Sequence, residues 1–247
     1  QSGRNGKPLS MNYISTHIKK VKRVLRYTED KSHSVHSAYK SSSFKAPQET
    51  ASNIYLNEDE LRRIRELELN RGQYSLELTR DLFMVGAYSG LRVSDLNTLK
   101  IENIKSFRGI EILEVRCKKT NTLAEIPIHP EVKTLLSKYN NTFPPSQNQQ
   151  VMNRNLKVLG SLALICGQEV IEQTKGGRKV VYKRLKYEMI KTHTARRCFC
   201  TNAHLSGVNT LDIMSMSTHK TEASFLKYIK VTGKERAKRI AEHKFFQ

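Results

Sequence analysis

The helical spacing of apolar residues constrains the fold of this chain more than any other feature. From Asn57 onward, segment after segment repeats apolar side chains every three or four residues, as on one face of a helix. Strand-like alternation is confined to 110–115 with 124–128, and to 169–173 with 179–182. The pattern therefore predicts a mainly α chain with a small antiparallel β-sheet, which is an α+β fold.

The N-terminal part differs from the rest in composition. Residues 11–27 form one amphipathic helical pattern, and a Ser-rich segment with one proline follows, which is typical of a linker. We predict that 1–30 contain the last helix of a truncated domain, that 31–52 are a linker, and that 53–247 form the main domain. A lone helix cannot bury its own apolar face, so it must pack on the main domain or on a segment outside this sequence.

The charge balance points to a polyanionic partner. The 247 residues include 43 Lys and Arg against 23 Asp and Glu, a net charge of +20. Such an excess favours nucleic acid, and less often an anionic membrane surface. No run of about 18 apolar residues occurs, so no transmembrane helix is predicted. The four cysteines lack CxxC spacing and indicate reduced thiols in a cytoplasmic protein. With no cluster of acidic ligands, we expect neither a metal nor a cofactor.

Four short motifs carry side chains suited to phosphate chemistry. In Gly-Leu-Arg-Val-Ser-Asp-Leu, Arg92 directly follows a helix-terminating sequence. Lys118 and Lys119 stand in the polar turn between two predicted strands. His193 and Arg196 are three residues apart, so they share one face of a helix and can meet one phosphate.

The fourth motif pairs His219 with Tyr228, nine residues further on. Taken alone, each motif has an ordinary structural interpretation, such as a surface pair of Arg92 with Asp95 or a packed Tyr228. The functional alternative for Arg92 is a guanidinium fork that binds phosphate while Asp95 holds it in position. Together the motifs favour chemistry, because a tyrosine needs a cationic environment to act as a nucleophile near neutral pH.

In this order and spacing the motifs resemble those of the tyrosine recombinases, the phage-type integrase family. The resemblance covers about residues 53–247, and NIYLNEDEL, RDLFMVGAYSGLRVSDL, HTARRCF and FLKYIK are similar to integrases of bacterial conjugative or mobilisable elements. Counted back from Ile126-Pro127, the family's lysine falls on Lys119. One departure is Thr218, because the family usually has glycine directly before its second histidine.

The resemblance implies the integrase catalytic-domain fold and DNA cleavage through a 3′-phosphotyrosyl bond, followed by rejoining. It implies that Tyr228 attacks the phosphodiester and that Arg92 and Arg196 bind the non-bridging oxygens. It also implies that His193 and His219 add hydrogen bonds, that His193 helps to take the tyrosine proton, and that Lys119 protonates the leaving 5′ oxygen. The implied catalytic residues are Arg92, Lys119, His193, Arg196, His219 and Tyr228.

DNA contacts beyond these residues are implied for the helix near 152–157, which is similar to a family helix that enters a major groove. The alternative is that its cations meet only phosphate or solvent. The DNA-binding candidates are Arg154, Lys157, Lys118 and Arg197. The basic segment 234–240 is similar to the family's last segment and packs either on a neighbouring protomer or in cis. The implied partners are double-stranded DNA, three further copies in a homotetramer on paired sites, and an accessory DNA-bending protein, with no membrane.

Two other functions remain open on the sequence. A type IB topoisomerase shares the chemistry but relaxes supercoils, and a DNA-binding regulator keeps the fold without catalysis. The similarity of the quoted segments to integrases favours integration or excision of a mobile element or phage over the topoisomerase. A regulator that only binds DNA has no need of Tyr228. Since residues 11–27 are similar to the end of a core-binding domain whose remainder is missing, we expect weak, salt-sensitive DNA binding. The expected location is the bacterial cytoplasm, at the nucleoid when DNA is bound.

Overall fold

A computed structural model describes residues 6, 8–231, 233–242 and 244–246. The chain divides into a smaller unit, Gln1–Ser52 with Gln168–Arg184, and a larger unit, Asn53–Gly167 with Leu185–Gln247. Residues 168–184 therefore group with the N-terminal residues, whereas the sequence-based assignment has them in the main domain. The identity of each part as a domain of a recombinase stays a prediction.

Helices dominate the described residues, as the spacing of apolar side chains predicts. The α-helices are α1 (Met11–Asp30), α2 (Glu58–Arg65), α3 (Tyr74–Ser89), α4 (Val93–Leu96), α5 (Pro130–Lys138), α6 (Gln149–Leu162), α7 (Thr192–Leu205), α8 (Thr210–Met216), α9 (Glu222–Leu226) and α10 (Gly233–Ala241). The strands are β1 (Ile104–Phe107), β2 (Ile110–Arg116), β3 (Leu123–Pro127), β4 (Gln168–Lys175) and β5 (Arg178–Leu185). Within the described ranges, no helix is both long and apolar enough to cross a membrane.

Local capping explains where two helices of the larger unit begin and end. Asn57 and Glu60 form a reciprocal capping box at the start of α2, with both side-chain-to-amide distances at 2.9 Å. The helix α3 ends at Gly90, which has φ +69° and whose amide donates to the Gly86 carbonyl. The core of the larger unit surrounds α3, which packs against α2, α5, α6 and α7.

The larger unit contains a three-stranded antiparallel sheet in the order β1-β2-β3. Ile104 pairs with Leu113 in β2, and Glu114 pairs with Glu125 in β3. The sequence predicts β2, β3 and the lysine turn between them, but it misses β1. Three of the four β1 residues are exposed, so the strand lacks the alternation on which the prediction depends.

In the smaller unit, β4 and β5 form the predicted hairpin. Its two-residue turn is Gly176-Gly177, with φ +56° and +80°, which suits glycine and the twist of a tight hairpin. The chain before α1 pairs with this hairpin through a bridge between Ser10 and Lys175. The Gly176 amide also donates to the Leu9 carbonyl over 3.0 Å.

The predicted linker, 31–52, makes specific contacts inside the smaller unit. Tyr39 is buried, and its hydroxyl donates to the Glu29 carboxylate over 2.6 Å. The Glu49 carboxylate accepts both the amide and the hydroxyl of Thr174, at 2.7 and 2.8 Å. The N-terminal residues and the hairpin are thus held together by hydrogen bonds as well as by the strand-like bridge.

Candidate active site

The structure brings His193 and Tyr228 into direct contact. The Tyr228 hydroxyl and His193 Nε2 lie 2.8 Å apart, and the Tyr228 ring centroid is 4.4 Å from that of His219. His193 stands in the first turn of α7, and Tyr228 follows α9 with its amide 2.7 Å from the Phe225 carbonyl. The Thr201 hydroxyl donates to the Tyr228 carbonyl over 3.0 Å, which fixes the backbone that carries the phenol.

Arg196 is the most unusual side chain of this group, because its guanidinium is almost fully buried. Only 1% of the residue is exposed. Nη1 donates to the Gly90 carbonyl over 2.9 Å, and Nη2 donates to the Ser217 carbonyl and to His219 Nε2, the latter over 3.3 Å. Among the described residues, no carboxylate forms an ion pair with Arg196, and its Nε has no hydrogen-bond partner.

Gly90 gives Arg196 one of its acceptors, and only glycine fits there. Its φ of +69° is in the left-handed region, and a Cβ atom would approach the Phe199 ring to 2.4 Å. The glycine thus ends α3 sharply and turns its carbonyl toward α7.

The hydrogen bonds around His219 define its tautomer. Because Nε2 accepts from Arg196, the ring proton is assigned to Nδ1, which donates to Ser217 Oγ over 2.8 Å. Ser217 Oγ in turn donates to the Ile213 carbonyl over 2.5 Å. Burial, then the charges of Arg196 and Arg92, lower the pKa of His219 to about 3.

His193 is also neutral at pH 7. Burial is the main cause that lowers its pKa to about 4, and the charges of Arg197, Arg196, Arg92 and Lys119 act in the same direction. A neutral imidazole can accept a proton through Nε2, which is the nitrogen that faces the Tyr228 hydroxyl.

Arg92 is at the N-cap of α4 and reaches Thr218, not Asp95. Its Nη1 donates to Thr218 Oγ1 over 3.3 Å. Asp95 is 1% exposed; its Oδ1 accepts the Lys118 amide over 3.1 Å, and its Oδ2 has no partner in the described part of the chain. The expected pair of Arg92 with Asp95 is therefore wrong, because the short carboxylate meets the backbone of the lysine turn instead.

The two lysines occupy the turn between β2 and β3, and both are exposed. The backbone of the turn is closed by hydrogen bonds from the Cys117 amide to the Thr122 carbonyl and from the Asn121 amide to the Cys117 carbonyl, each 2.9 Å. The Lys119 ammonium is one of the charges that lower the pKa of His193. Hydrogen bonds thus close the turn on either side of Lys119, whose side chain is exposed.

The DNA-binding candidates lie in different surroundings. Arg154 and Lys157 are exposed on α6, opposite the buried Met152 and Leu156. Lys118 is exposed in its turn. Arg197 instead packs against the phenol ring of the candidate site, with Cζ 5.5 Å from the ring centroid. The side chains of Lys234, Lys238 and Arg239, in the basic C-terminal segment, lie outside the described residues.

Three residues of the site receive no functional role from the sequence motifs, although Thr218 is visible there as a departure from the family pattern. Ser217 contributes a carbonyl to Arg196 and a hydroxyl to His219, Thr201 supports Tyr228, and Thr218 contacts Arg92. Ser217 stands next to the histidine motif, which is the only signal that could have found it. Among the described residues, no group of three or more His, Cys, Asp or Glu side chains could hold a metal ion.

The chain is similar to several solved structures. No protein-family model and no curated protein sequence matches it. A lambda integrase dimer bound to a core site aligns with a TM-score of 0.61 at 14% identity, over 87% of this chain and 72% of that one. The integrase of the transposon Tn1549, in complex with circular intermediate DNA, aligns with 0.61 at 13% identity, over 95% and 80%. The XerH site-specific recombinase, in a post-cleavage complex, aligns with 0.55 at 12% identity, over 80% and 55%.

The chain has the tyrosine recombinase fold. The α+β class and the fold resemblance predicted from the sequence are thereby confirmed. This chain spans about half of the XerH recombinase that shares the tyrosine recombinase fold. With identities this low, the roles of single residues depend on the geometry described above.

Proposed function

We propose that this chain cleaves and rejoins DNA strands at specific sites through a covalent bond between Tyr228 and a 3′ phosphate. The observation that carries the proposal is the buried Arg196 guanidinium, which has no ion-pair partner among the described residues and stands beside the hydrogen-bonded His193 and Tyr228. A buried cation without a counter-ion is costly, and phosphate oxygens are the natural counter-charge for a guanidinium.

In the proposed cleavage step, the Tyr228 oxygen attacks the phosphorus atom and its proton moves to His193 Nε2, 2.8 Å away. The new bond joins phosphorus to the phenol oxygen, and the bond from phosphorus to the 5′ oxygen breaks. Lys119 gives the leaving oxygen its proton. Rejoining reverses these steps when a 5′ hydroxyl attacks the phosphotyrosine, so no external energy source is needed.

Arg92 and Arg196 supply the charge that the reaction requires. Both guanidinium groups bind non-bridging oxygens, where negative charge grows as the phosphorus becomes five-coordinate. Arg196 and Arg197 also lie 5.6 and 5.5 Å from the Tyr228 ring centroid, so the phenolate forms in a cationic environment. The N-terminus of α7, where His193 stands, adds a partial positive charge.

Double-stranded DNA is the proposed substrate, and basic side chains outside the site support this. Arg154 and Lys157 on α6 and Lys118 in its turn are exposed and available to the DNA backbone. Residues 1–52 contain 10 basic and 3 acidic residues, and 168–184 contain 5 and 2, so the smaller unit carries half of the net charge of +20. The similar lambda and Tn1549 integrase structures are complexes with DNA.

The biological process we propose is integration or excision of a mobile element or phage in bacteria. Recombination between two duplex sites cuts and rejoins four strands, and each cut uses one Tyr228. We therefore propose a homotetramer on two paired sites, assisted by a DNA-bending protein. The proposed location is the cytoplasm, where the DNA is found.

The test is covalent capture on a random-sequence pool of nicked duplexes, which removes the need to know the target site. We expect a protein–DNA adduct that resists detergent and disappears in Tyr228→Phe. The matched control Tyr74→Phe, which changes a tyrosine that is 57% exposed, keeps the adduct. An adduct that survives Tyr228→Phe, or none with any duplex, contradicts the proposal. Relaxation of supercoiled plasmid without site preference favours the topoisomerase, and binding without an adduct favours the regulator.

A further inference from the structure

One short turn contacts both arginines of the candidate active site. The Ser217 carbonyl accepts from Arg196, and His219 Nε2 accepts from the same guanidinium. Thr218, between them, accepts from Arg92 Nη1 over 3.3 Å. The three consecutive residues therefore link the two guanidinium groups that the proposed function assigns to one phosphate.

Thr218 has an unfavourable backbone for its residue type. Its φ is +51°, in the left-handed region, where a β-branched residue is strained and glycine is not. Hydrogen bonds from its own amide to the Ser215 carbonyl and from the His219 amide to the Met214 carbonyl, 3.0 and 2.9 Å, hold this conformation. The chain thus has a strained threonine at a position where glycine would adopt the same backbone conformation without strain.

The Thr218 hydroxyl is the acceptor for Arg92 Nη1. Burial raises the pKa of the Cys117 thiol, and hydrogen bonding by Thr218 opposes that rise. Only 4% of Thr218 is exposed, so water does not readily replace these partners. Glycine and valine lack an acceptor for Arg92, whereas serine keeps the hydroxyl.

We propose that Thr218 is a positioning residue that holds the Arg92 guanidinium ready for the phosphate before DNA binds. This inference rests on the proposed function, because it assigns Arg92 to the phosphate. An arginine side chain has many rotamers, and a hydrogen bond to a fixed hydroxyl selects among them in advance. Electrostatic stabilisation is most effective when the charges need not reorganise during the reaction.

The test compares Thr218→Val, Thr218→Gly and Thr218→Ser in single-turnover cleavage at saturating DNA. Removing one hydrogen bond to a charged group corresponds to about a 10-fold loss, so we expect Val and Gly to cleave about 10-fold more slowly. The dissociation constant for DNA changes less than about twofold, since other cations dominate binding. Ser cleaves at the wild-type rate. Gly also melts at a higher temperature than the wild type, because it relieves the strained φ.

A merely structural role predicts a different pattern. In that case Gly, which folds most easily, cleaves at least as fast as the wild type, and this result overturns the inference. Wild-type cleavage by the Val variant, or slow cleavage by the Ser variant, overturns it as well.

A second measurement separates this inference from the proposed function. If the wild type forms no adduct, strand cleavage is refuted, and thermal melting in a sulfate titration then tests Arg92 alone. We expect a several-fold weaker sulfate midpoint for Val and Gly and an unchanged midpoint for Ser. Equal midpoints in all four proteins refute the positioning role.

Discussion

Two buried charged groups of the larger unit, Asp81 and Arg196, have opposite electrostatic surroundings. Asp81 is 2% exposed, and its carboxylate accepts from Arg80 Nε over 3.0 Å, from the Tyr139 hydroxyl over 2.9 Å and from the Lys138 ammonium. Arg196 is 1% exposed and has two carbonyls and an imidazole as partners, with no carboxylate among the described residues. The first charge is neutralised inside the protein, and the second is not.

The difference indicates which of the two charged groups is available to bind a ligand of opposite charge. A neutralised charge such as Asp81 stabilises the fold and offers nothing to a ligand. An un-neutralised cation such as Arg196 lowers stability until an anion arrives, and its burial strengthens the attraction when it does. The comparison therefore predicts that changes at the two sites separate stability from function.

The largest expected effect is on catalysis at Arg196. Arg196→Lys loses the planar fork that reaches Gly90, Ser217 and the phosphate together, so adduct formation slows about 100- to 1,000-fold. The matched control Arg80→Lys alters a guanidinium of the neutralised cluster and leaves the rate unchanged. Single-turnover cleavage measures both, and equal slowing in the two variants would break the comparison.

The next effect is on stability at Asp81. Asp81→Asn leaves Arg80 and Lys138 without their shared anion, which lowers the free energy of unfolding by about 1–3 kcal/mol. Lys138 is 37% exposed, which keeps the loss below that of a fully buried pair. Urea denaturation measures it, with the exposed Asp59→Asn expected to change stability by less than about 0.5 kcal/mol. Adduct formation well below the melting temperature stays at the wild-type level; a loss there would link the two clusters.

Anion binding sharpens the comparison further. At a concentration about ten times its dissociation constant, bound sulfate raises the free energy of unfolding by about 1.4 kcal/mol. This corresponds to a rise of roughly 3–5 °C in melting temperature. Arg92→Ala reduces this gain by about half, since one of two proposed ligands is lost. Arg108→Ala, an exposed arginine in the β1–β2 turn, keeps the full gain at matched ionic strength. Equal gains in both variants would remove Arg92 from the anion site.

The pH dependence of stability tests the two buried imidazoles beside Arg196. The pKa values of His193 and His219 are lowered to about 4 and about 3, so below about pH 6.5 the unfolded chain binds more protons than the folded one. Stability therefore falls as the pH drops from 7 to 4.5. Urea denaturation across this range should give a shallower slope for His219→Asn and an unchanged slope for His33→Asn, at an exposed position. A slope unaffected by His219→Asn contradicts the burial of a neutral imidazole.

The sequence predicts what depends on local spacing. His193 and Arg196 share a face of α7 because they are three residues apart, and α3 ends where Gly90 allows it. The contact of Arg196 with the Gly90 carbonyl spans 106 positions, and no pattern within either segment encodes it. For the same reason local spacing predicts a pair of Asp95 with its neighbour Arg92, although the Lys118 amide, 23 positions away, is the partner of Asp95. The departure at Thr218 is visible in the sequence, but its bond to Arg92 is not.

The hairpin β4–β5 makes the smaller unit discontinuous along the chain. Peptide bonds at 52–53, 167–168 and 184–185 cross the division, and the Lys186 amide closes the base of the hairpin on the Gly167 carbonyl over 2.7 Å. A single proteolytic cut after Ser52 therefore releases nothing while the hydrogen bonds of Leu9, Ser10 and Glu49 to the hairpin persist. Expression from Asn53 onward removes Leu9, Ser10 and Glu49 and leaves the hairpin without these hydrogen-bond partners. Isolating the larger unit therefore also requires that 168–184 be shortened to a tight turn.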